Sequence, residues 1–239
     1  MRNLLFPFVL FFVVMLDGCT KNDVTPVCLL TSNGVENLTY TNNRWTGGSD
    51  ERGTYTIVYD DNNRRIEFTY SSGYTDKFTY DAGGKVISTT TSIHGTVTQV
   101  VKTIYNSNGQ VAAQHYQFFN MPPTDSTVNT FSYANATTHN ISTMNQTYYN
   151  SGSLPHVVSF NATYEYDSKR NPLSVFDNMN PQLATDNNVT KVTYSASLFT
   201  TTTYTYNDKG YPVTAVSIST NGNTDPTKFT YNYTYSNCQ

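Results

Sequence analysis

The sequence predicts an all-β fold, an antiparallel meander of about 12–14 strands curled into a half-barrel or up-and-down barrel. Three observations carry that expectation. Aromatic residues make up 14% of the 239, with 20 Tyr, while charged residues are only 13%. Tyr, Phe and Thr suit a pleated surface, and the helix-favouring Leu, Glu and Lys are scarce. Apolar and polar residues alternate with a period of two in several segments. A short unit then punctuates them: Tyr, Asp or Asn, two mostly polar residues and a turn former.

The chain divides at its N-terminus. Residues 1–18 read as a signal peptide: Arg2 supplies a positive start, and Leu4 to Leu16 form an apolar run too short to span a membrane comfortably. The sequence Leu16-Asp17-Gly18-Cys19 resembles a bacterial lipobox, with Asp17 an unusual member. That resemblance implies acylation of Cys19 and a membrane partner held through the N-terminal lipid anchor, each buried CH₂ contributing about 0.8 kcal/mol. Residues 19–35 then read as anchor and tether, and Thr20-Lys21-Asn22-Asp23 resembles the polar leader of Bacteroidetes lipoproteins. The implied location is the outer membrane, with the cell surface favoured over the periplasmic face. Cys28 and Cys238 remain, near the two ends of the mature chain. In an oxidising compartment they are a candidate disulfide, whose long loop corresponds to about 4–5 kcal/mol in the chain-entropy model; two separate thiols are the alternative.

Residues 36–239 read as one β domain. The first punctuation is Tyr40-Thr41-Asn42-Asn43-Arg44-Trp45, followed by Tyr59-Asp60-Asp61-Asn62-Asn63 with Asn where other copies have Gly. Ile66, Phe68 and Tyr70 then share one strand face around Glu67 and Thr69. Tyr80-Asp81-Ala82-Gly83-Gly84-Lys85-Val86 and Tyr105-Asn106-Ser107-Asn108-Gly109-Gln110-Val111 are the clearest copies, and Tyr133-Ala134-Asn135-Ala136 is a decayed one. Val158, Phe160, Ala162, Tyr164 and Tyr166 alternate into Asp167-Ser168-Lys169-Arg170, where Arg170 fits the turn poorly. Tyr206-Asn207-Asp208-Lys209-Gly210-Tyr211-Pro212 is the last copy, before Phe229, Tyr231, Tyr233 and Tyr235 on one face. An Asp or Asn opening a turn accepts a backbone hydrogen bond from two residues on, and Gly supplies the positive φ. After the signal no segment is apolar enough for a membrane helix, and the strands lack the apolar band and aromatic girdles of a membrane barrel.

The Tyr-Asp-x-x-Gly-Lys/Gln-Val units resemble the YD repeats of Rhs and teneurin proteins. Together with the lipobox they resemble a group of Bacteroidetes lipoproteins of unknown function whose domain is described as porin-like. The resemblance covers roughly residues 36–235. It implies a β-rich extracytoplasmic shell and no established chemistry.

Motifs for catalysis are missing from the sequence. His94, His115, His139 and His156 make no HxH or HExxH spacing, so neither a metal site nor any other cofactor is expected. There is no GxSxG elbow and no Walker glycine loop. Asp60, Asp61 and Asp208 read as turn formers rather than calcium ligands. The net charge of −3 gives no footprint for nucleic acid. The expected ligand contact is Trp45, the single Trp, set in the polar stretch NNRWTGGSDERG, unless it packs at an open end of the barrel. The expected role is a non-enzymatic binding or structural module of the envelope, for a glycan, a polymer or a partner protein. The alternatives are a carbohydrate-active enzyme pairing acids such as Glu67 and Glu165, and a small-molecule carrier using the barrel interior.

Overall fold

The computed structural model describes residues 28–119, 126–150, 156–174, 181–182, 184–222 and 224–237. The chain runs through β1 (Leu29–Ser32), β2 (Asn37–Thr41), β3 (Arg44–Asp50), β4 (Gly53–Tyr59), β5 (Arg65–Tyr70) and β6 (Tyr74–Tyr80). It continues through β7 (Val86–Ile93), β8 (Thr96–Tyr105), β9 (Val111–Phe118), β10 (Ser126–Tyr133), β11 (Ile141–Asn150) and β12 (His156–Arg170). The last strands are β13 (Asn187–Thr193), β14 (Leu198–Tyr206), β15 (Pro212–Asn221), β16 (Thr224–Asn232) and β17 (Thr234–Ser236). Each strand pairs antiparallel with its sequence neighbour, except that β16 and β17 are one run of chain interrupted at Tyr233. Strand β17 then pairs with β1, Leu29 opposite Ser236, so the meander comes round on itself as a nearly closed up-and-down barrel.

The 17-stranded sheet exceeds the expected count because some strands come from segments without apolar alternation. Strand β3 is RWTGGSD, and β17 has only three residues. Strand β1 lies inside the stretch 19–35 read as tether, so the barrel takes up that stretch from Cys28 onward.

One end of the barrel is built by the repeats. At Asp60, Asp81, Asn106 and Asn207 the turns superimpose in their bonding. The first residue's amide donates to the carbonyl four residues on, at 2.9 Å in all four. Its side-chain Oδ1 accepts the amide of that same residue: Arg64 and Lys85 at 2.8 Å, Gln110 at 3.0 Å, Tyr211 at 2.9 Å. The fourth position needs a left-handed backbone, taken by Gly84, Gly109 and Gly210 and, at φ 61°, by Asn63. The copy with Arg170 does depart: β12 continues through that residue, and the chain turns into the lumen instead. There Leu173 packs on the core, and the Gln182 side chain reaches the Met144 sulfur at 3.0 Å.

Each repeat tyrosine sits at a break in strand register. At Tyr40, Tyr59, Tyr80, Tyr105, Tyr133, Tyr166 and Tyr206 the partner strand carries one extra residue, just after the residue opposite the tyrosine. Those opposed residues are Trp45, Arg65, Val86, Val111, Ile141, Val189 and Pro212. A bulge of this kind interrupts the ladder and bends the strand. Every one of these seven carbonyls accepts a hydroxyl from a tyrosine further along the chain. The donors, in order, are Tyr59, Tyr80, Tyr105, Tyr133, Tyr166, Tyr204 and Tyr235. Early in the chain the same rings are held a second way, under Arg44 (Tyr59, 3.5 Å), Arg64 (Tyr80, 4.7 Å) and Lys85 (Tyr105, 5.0 Å).

Inward side chains make two core clusters. One joins Leu30, Leu38, Trp45, Tyr55, Phe68, Tyr70, Phe78 and Val86; the other joins Val111, Phe131, Ile141, Met144 and Ala162. Outward positions such as Thr56, Thr69, Lys77, Asn161, Thr163 and Glu165 are polar, while Val58, Ile87 and Ile104 are exposed apolar residues.

Tyr105→Phe removes the donor to the Val86 carbonyl and should cost about 1 kcal/mol, or about 2–4 °C in Tm. Tyr40, the first of the series, has a buried hydroxyl with no partner. Tyr40→Phe should therefore be neutral or stabilising, and urea denaturation of the two variants checks the contrast.

Candidate functional site

A cavity of about 560 Å³ lies between the β1–β2 and β3–β4 turns, which stand opposite the repeat turns, and the half of β14–β16 nearer the repeats. One side is formed by the inner faces of β14, β15 and β16 and by Tyr233 just after β16: Thr202, Tyr204, Ala215, Ser217, Tyr231 and Tyr233. Cross-strand register sets Thr202 against Ser217, whose hydroxyls bond at 2.9 Å, and Ala215 between Tyr204 and Tyr231. Small residues between tyrosines leave the concavity unfilled. Phe229, about half exposed, continues the Tyr231 face of β16 at the lip.

The other side is charged and comes from two tight turns. Between β1 and β2, Asn33 Oδ1 accepts the amides of Val35 at 2.9 Å and Glu36 at 2.7 Å. Gly34 adopts φ 84° and lies so near β16 that a Cβ would stand 2.9 Å from the Asn232 nitrogen. Between β3 and β4, Asp50 Oδ1 accepts the Arg52 amide at 2.8 Å, and Asp50 Oδ2 accepts Arg52 Nε at 3.0 Å and Nη2 at 2.7 Å. Arg52 also donates to the Tyr70 hydroxyl and lies 3.9 Å from Asp76. Glu36 accepts the hydroxyl of the buried Tyr55. Leu173 completes the lining from within the lumen.

The electrostatics follow from burial. Desolvation pushes the Glu36 carboxyl above its ordinary range and Asp50 adds to the push, against the Tyr55 hydrogen bond and Arg52. Burial works against the Arg52 charge, but Asp50, Tyr70 and Asp76 more than offset it and hold the guanidinium above its usual value. Burial, aided by Tyr231, pushes Tyr233 up to about 12, so its hydroxyl stays neutral at physiological pH.

The residues singled out from sequence fall elsewhere. Trp45 is only 6% exposed, set edge-on to Phe68 at 5.4 Å and Tyr55 at 6.2 Å, with its indole N–H donating to the Gly47 carbonyl. It belongs to a core cluster and also lines a second cavity of about 260 Å³ at the repeat end, together with Tyr40, Tyr59, Arg65 and Tyr211. Cys28 is buried and disulfide-bonded, while Cys19 and Cys238 lie outside the described residues. Glu67 and Glu165 do not face one another: they lie on β5 and β12, each ion-paired with a neighbouring-strand lysine, Lys77 at 3.3 Å and Lys191 at 3.1 Å. His94 is in the β7–β8 turn, His115 on β9, His139 between β10 and β11, and His156 opens β12. Among the described residues no group of three or more His, Cys, Asp or Glu is placed to hold a metal. Asp60 caps its turn as expected, whereas in the last copy Asn207, not Asp208, spans the turn.

With the repeat geometry in hand, comparison with known proteins becomes specific. Residues 59–97 match the RHS repeat. That stretch holds two of the four turns of shared geometry, at Asp60 and Asp81. A porin-like protein from Bacteroides vulgatus ATCC 8482 shares the fold, at TM-score 0.51 and 10% identity, over 88% of this chain and 99% of that one. A porin-like protein from Bacteroides uniformis ATCC 8492 aligns at TM-score 0.40 and 13% identity, over 87% of this chain and 94% of that one. The Photorhabdus luminescens Tc holotoxin pore aligns at TM-score 0.36 and 13% identity, over 85% of this chain and 12% of that one. No curated protein sequence matches the chain. The molecule thus shares the fold of the Bacteroides vulgatus porin-like protein and carries a stretch similar to the RHS repeat over residues 59–97.

The acids of the cavity escaped the sequence reading because Asp and Glu beside turn glycines normally face water. The available signal was position: Asp50, Glu51 and Arg52 end the same NNRWTGGSDERG stretch that drew attention to Trp45.

A carboxyl whose pKa rises on folding stabilises the fold while protonated, below its unfolded pKa. That contribution is lost as pH rises through the folded value. Glu36→Gln keeps an oxygen for Tyr55 and removes the charge. It should melt above wild type at about pH 8 and converge with it below about pH 4, as calorimetry can read.

Proposed function

We propose that the protein is a lipid-anchored binding module of the outer membrane, exposed at the cell surface, that presents its interior cavity away from the bilayer. The carrying observation is polarity. Leu29 and Ser236 pair at the repeat end, where the Asn237 side chain also bonds Asn43 in the β2–β3 turn, while the cavity is framed on one side by turns at the other end. With Cys19 acylated, the short segment to Cys28 reaches at most about 30 Å when extended. The repeat end would then face the membrane and the cavity its surroundings. Cys238 follows Ser236 by two residues and is the partner we assign to Cys28, closing the barrel where β17 meets β1.

Glycan, polymer and partner-protein ligands all fit this orientation, and the tyrosine and hydroxyl lining supports contact with a hydroxylated or apolar ring. Two carboxyls in unlike environments, Glu36 desolvated and Asp50 paired with Arg52, also resemble the arrangement of an acid pair. They come from turns on one side of the cavity, and among the described residues the β14–β16 side supplies hydroxyls, rings and Ala215. A glycosidase sets its acids on both sides of the scissile bond, so binding is the better reading.

A glycan-array and pull-down screen with the native lipoprotein should return a ligand that Ser217→Phe, which fills the cavity, abolishes. Mass spectrometry of the same material should find acyl chains on Cys19 and a Cys28–Cys238 peptide. Capture that survives Ser217→Phe would place the contact elsewhere, and an unmodified Cys19 would remove the anchor.

A further inference from the structure

The cavity's two sides are chemically unlike, and the difference bears on the charge of what enters. Among the described residues three carboxylates, Glu36, Asp50 and Glu51, line it against one guanidinium. That guanidinium is already committed to Asp50, to the Tyr70 hydroxyl and, at 3.9 Å, to Asp76. Its charge is spent within the wall. Asp76 itself accepts from Thr91 at 2.6 Å, so a further carboxylate is held close behind the lining. Across from the acids stand the tyrosine rings of residues 204, 231 and 233, with Phe229 at the lip. Aromatic faces attract cations, and the attraction strengthens when water is excluded. The molecule uses that contact elsewhere in its wall, at Arg44 over Tyr59 and Arg64 over Tyr80.

We propose that the cavity selects a ligand carrying a protonated amine on a compact ring or chain of about sugar size, the ammonium held by Glu36 and the tyrosine faces. This rests on the binding reading above and names its ligand class. An anion would meet three carboxylates with no uncommitted cation to receive it. A neutral ring could occupy the space but would leave Glu36 a desolvated acid with only the pull of Arg52, which is itself bonded to Asp50. Burying a carboxylate beside a cation offsets much of the desolvation that burying it alone incurs. The volume of about 560 Å³ falls within the range of ordinary small-ligand sites and suits one or two rings.

The test is calorimetric titration of the full lipoprotein in a neutral detergent with two matched pairs of probes: glucosamine against N-acetylglucosamine, and cyclohexylamine against cyclohexanol. Each pair keeps the ring and removes the charge. The amine should bind about tenfold or more tighter than its neutral partner, and the preference should shrink with added salt. Glu36→Gln, which retains an acceptor for Tyr55, should remove most of the preference, while Glu67→Gln on the outer wall leaves it unchanged. Ser217→Phe should abolish binding of all four probes, with circular dichroism reporting that the β fold persists. Equal binding of charged and neutral partners, lost in Ser217→Phe, would overturn the charge selection and leave the cavity reading standing. Amine binding indifferent to both Glu36→Gln and Ser217→Phe would overturn both. Absence of saturable amine binding at millimolar concentrations would overturn the amine proposal.

Discussion

The tyrosine hydroxyl that reaches back to the carbonyl opposite the preceding bulge is the bond on which this barrel is assembled. A bulge leaves ladder groups unpaired, and an unpaired buried carbonyl costs about as much as a hydrogen bond contributes. Here seven such carbonyls are met by seven tyrosines. Because donor and acceptor belong to successive repeats, each repeat fixes the register of the one before it. A strand slipped by one residue would turn its tyrosine outward and lose the bond together with the inward apolar face.

That device also orders the two ends of the molecule. The bulges gather the turns of one end into a regular array, where the chain's first and last strands meet. The opposite end is under no such constraint. Its turns vary, β8 to β16 include longer strands, and the lumen there is left unfilled beside Glu36, Asp50 and Arg52. Burying Glu36 works against stability at neutral pH, and such a cost is commonly tolerated where it serves binding. The fold thus separates a stabilising end, dense in tyrosine bonds, from an end where polar groups are held in an open interior.

The repeat end was legible in the sequence, and for a definite reason. The spacing Tyr-Asp/Asn-x-x-Gly is local: the capping oxygen, the left-handed residue and the bulge lie within a few positions of one another. Arg170 marked the one copy where the turn gives way to an inward connection. Tyr204 taking the bond in place of Tyr206 was not legible, because Tyr206 instead donates to the Asp167 carboxylate of the preceding repeat. The packing of Trp45 was legible only in part. Its neighbours in sequence are polar, but its neighbours in space are Tyr55 and Phe68, set by pairing across β3, β4 and β5. The cavity acids depend on closure, since only the return of β16 and β17 to β1 brings Tyr231 and Tyr233 beside Glu36.

Closure is therefore the central claim, and native-state hydrogen exchange tests it directly. If the barrel is one cooperative shell, the amides of Leu30 in β1 and Tyr235 in β17 should exchange only through global unfolding. Their protection should match that of Val101 and Phe131 in the strands across the barrel. Exchange of Leu30 and Tyr235 through a local opening, while the remainder stays protected, would show an open curled sheet whose ends merely touch.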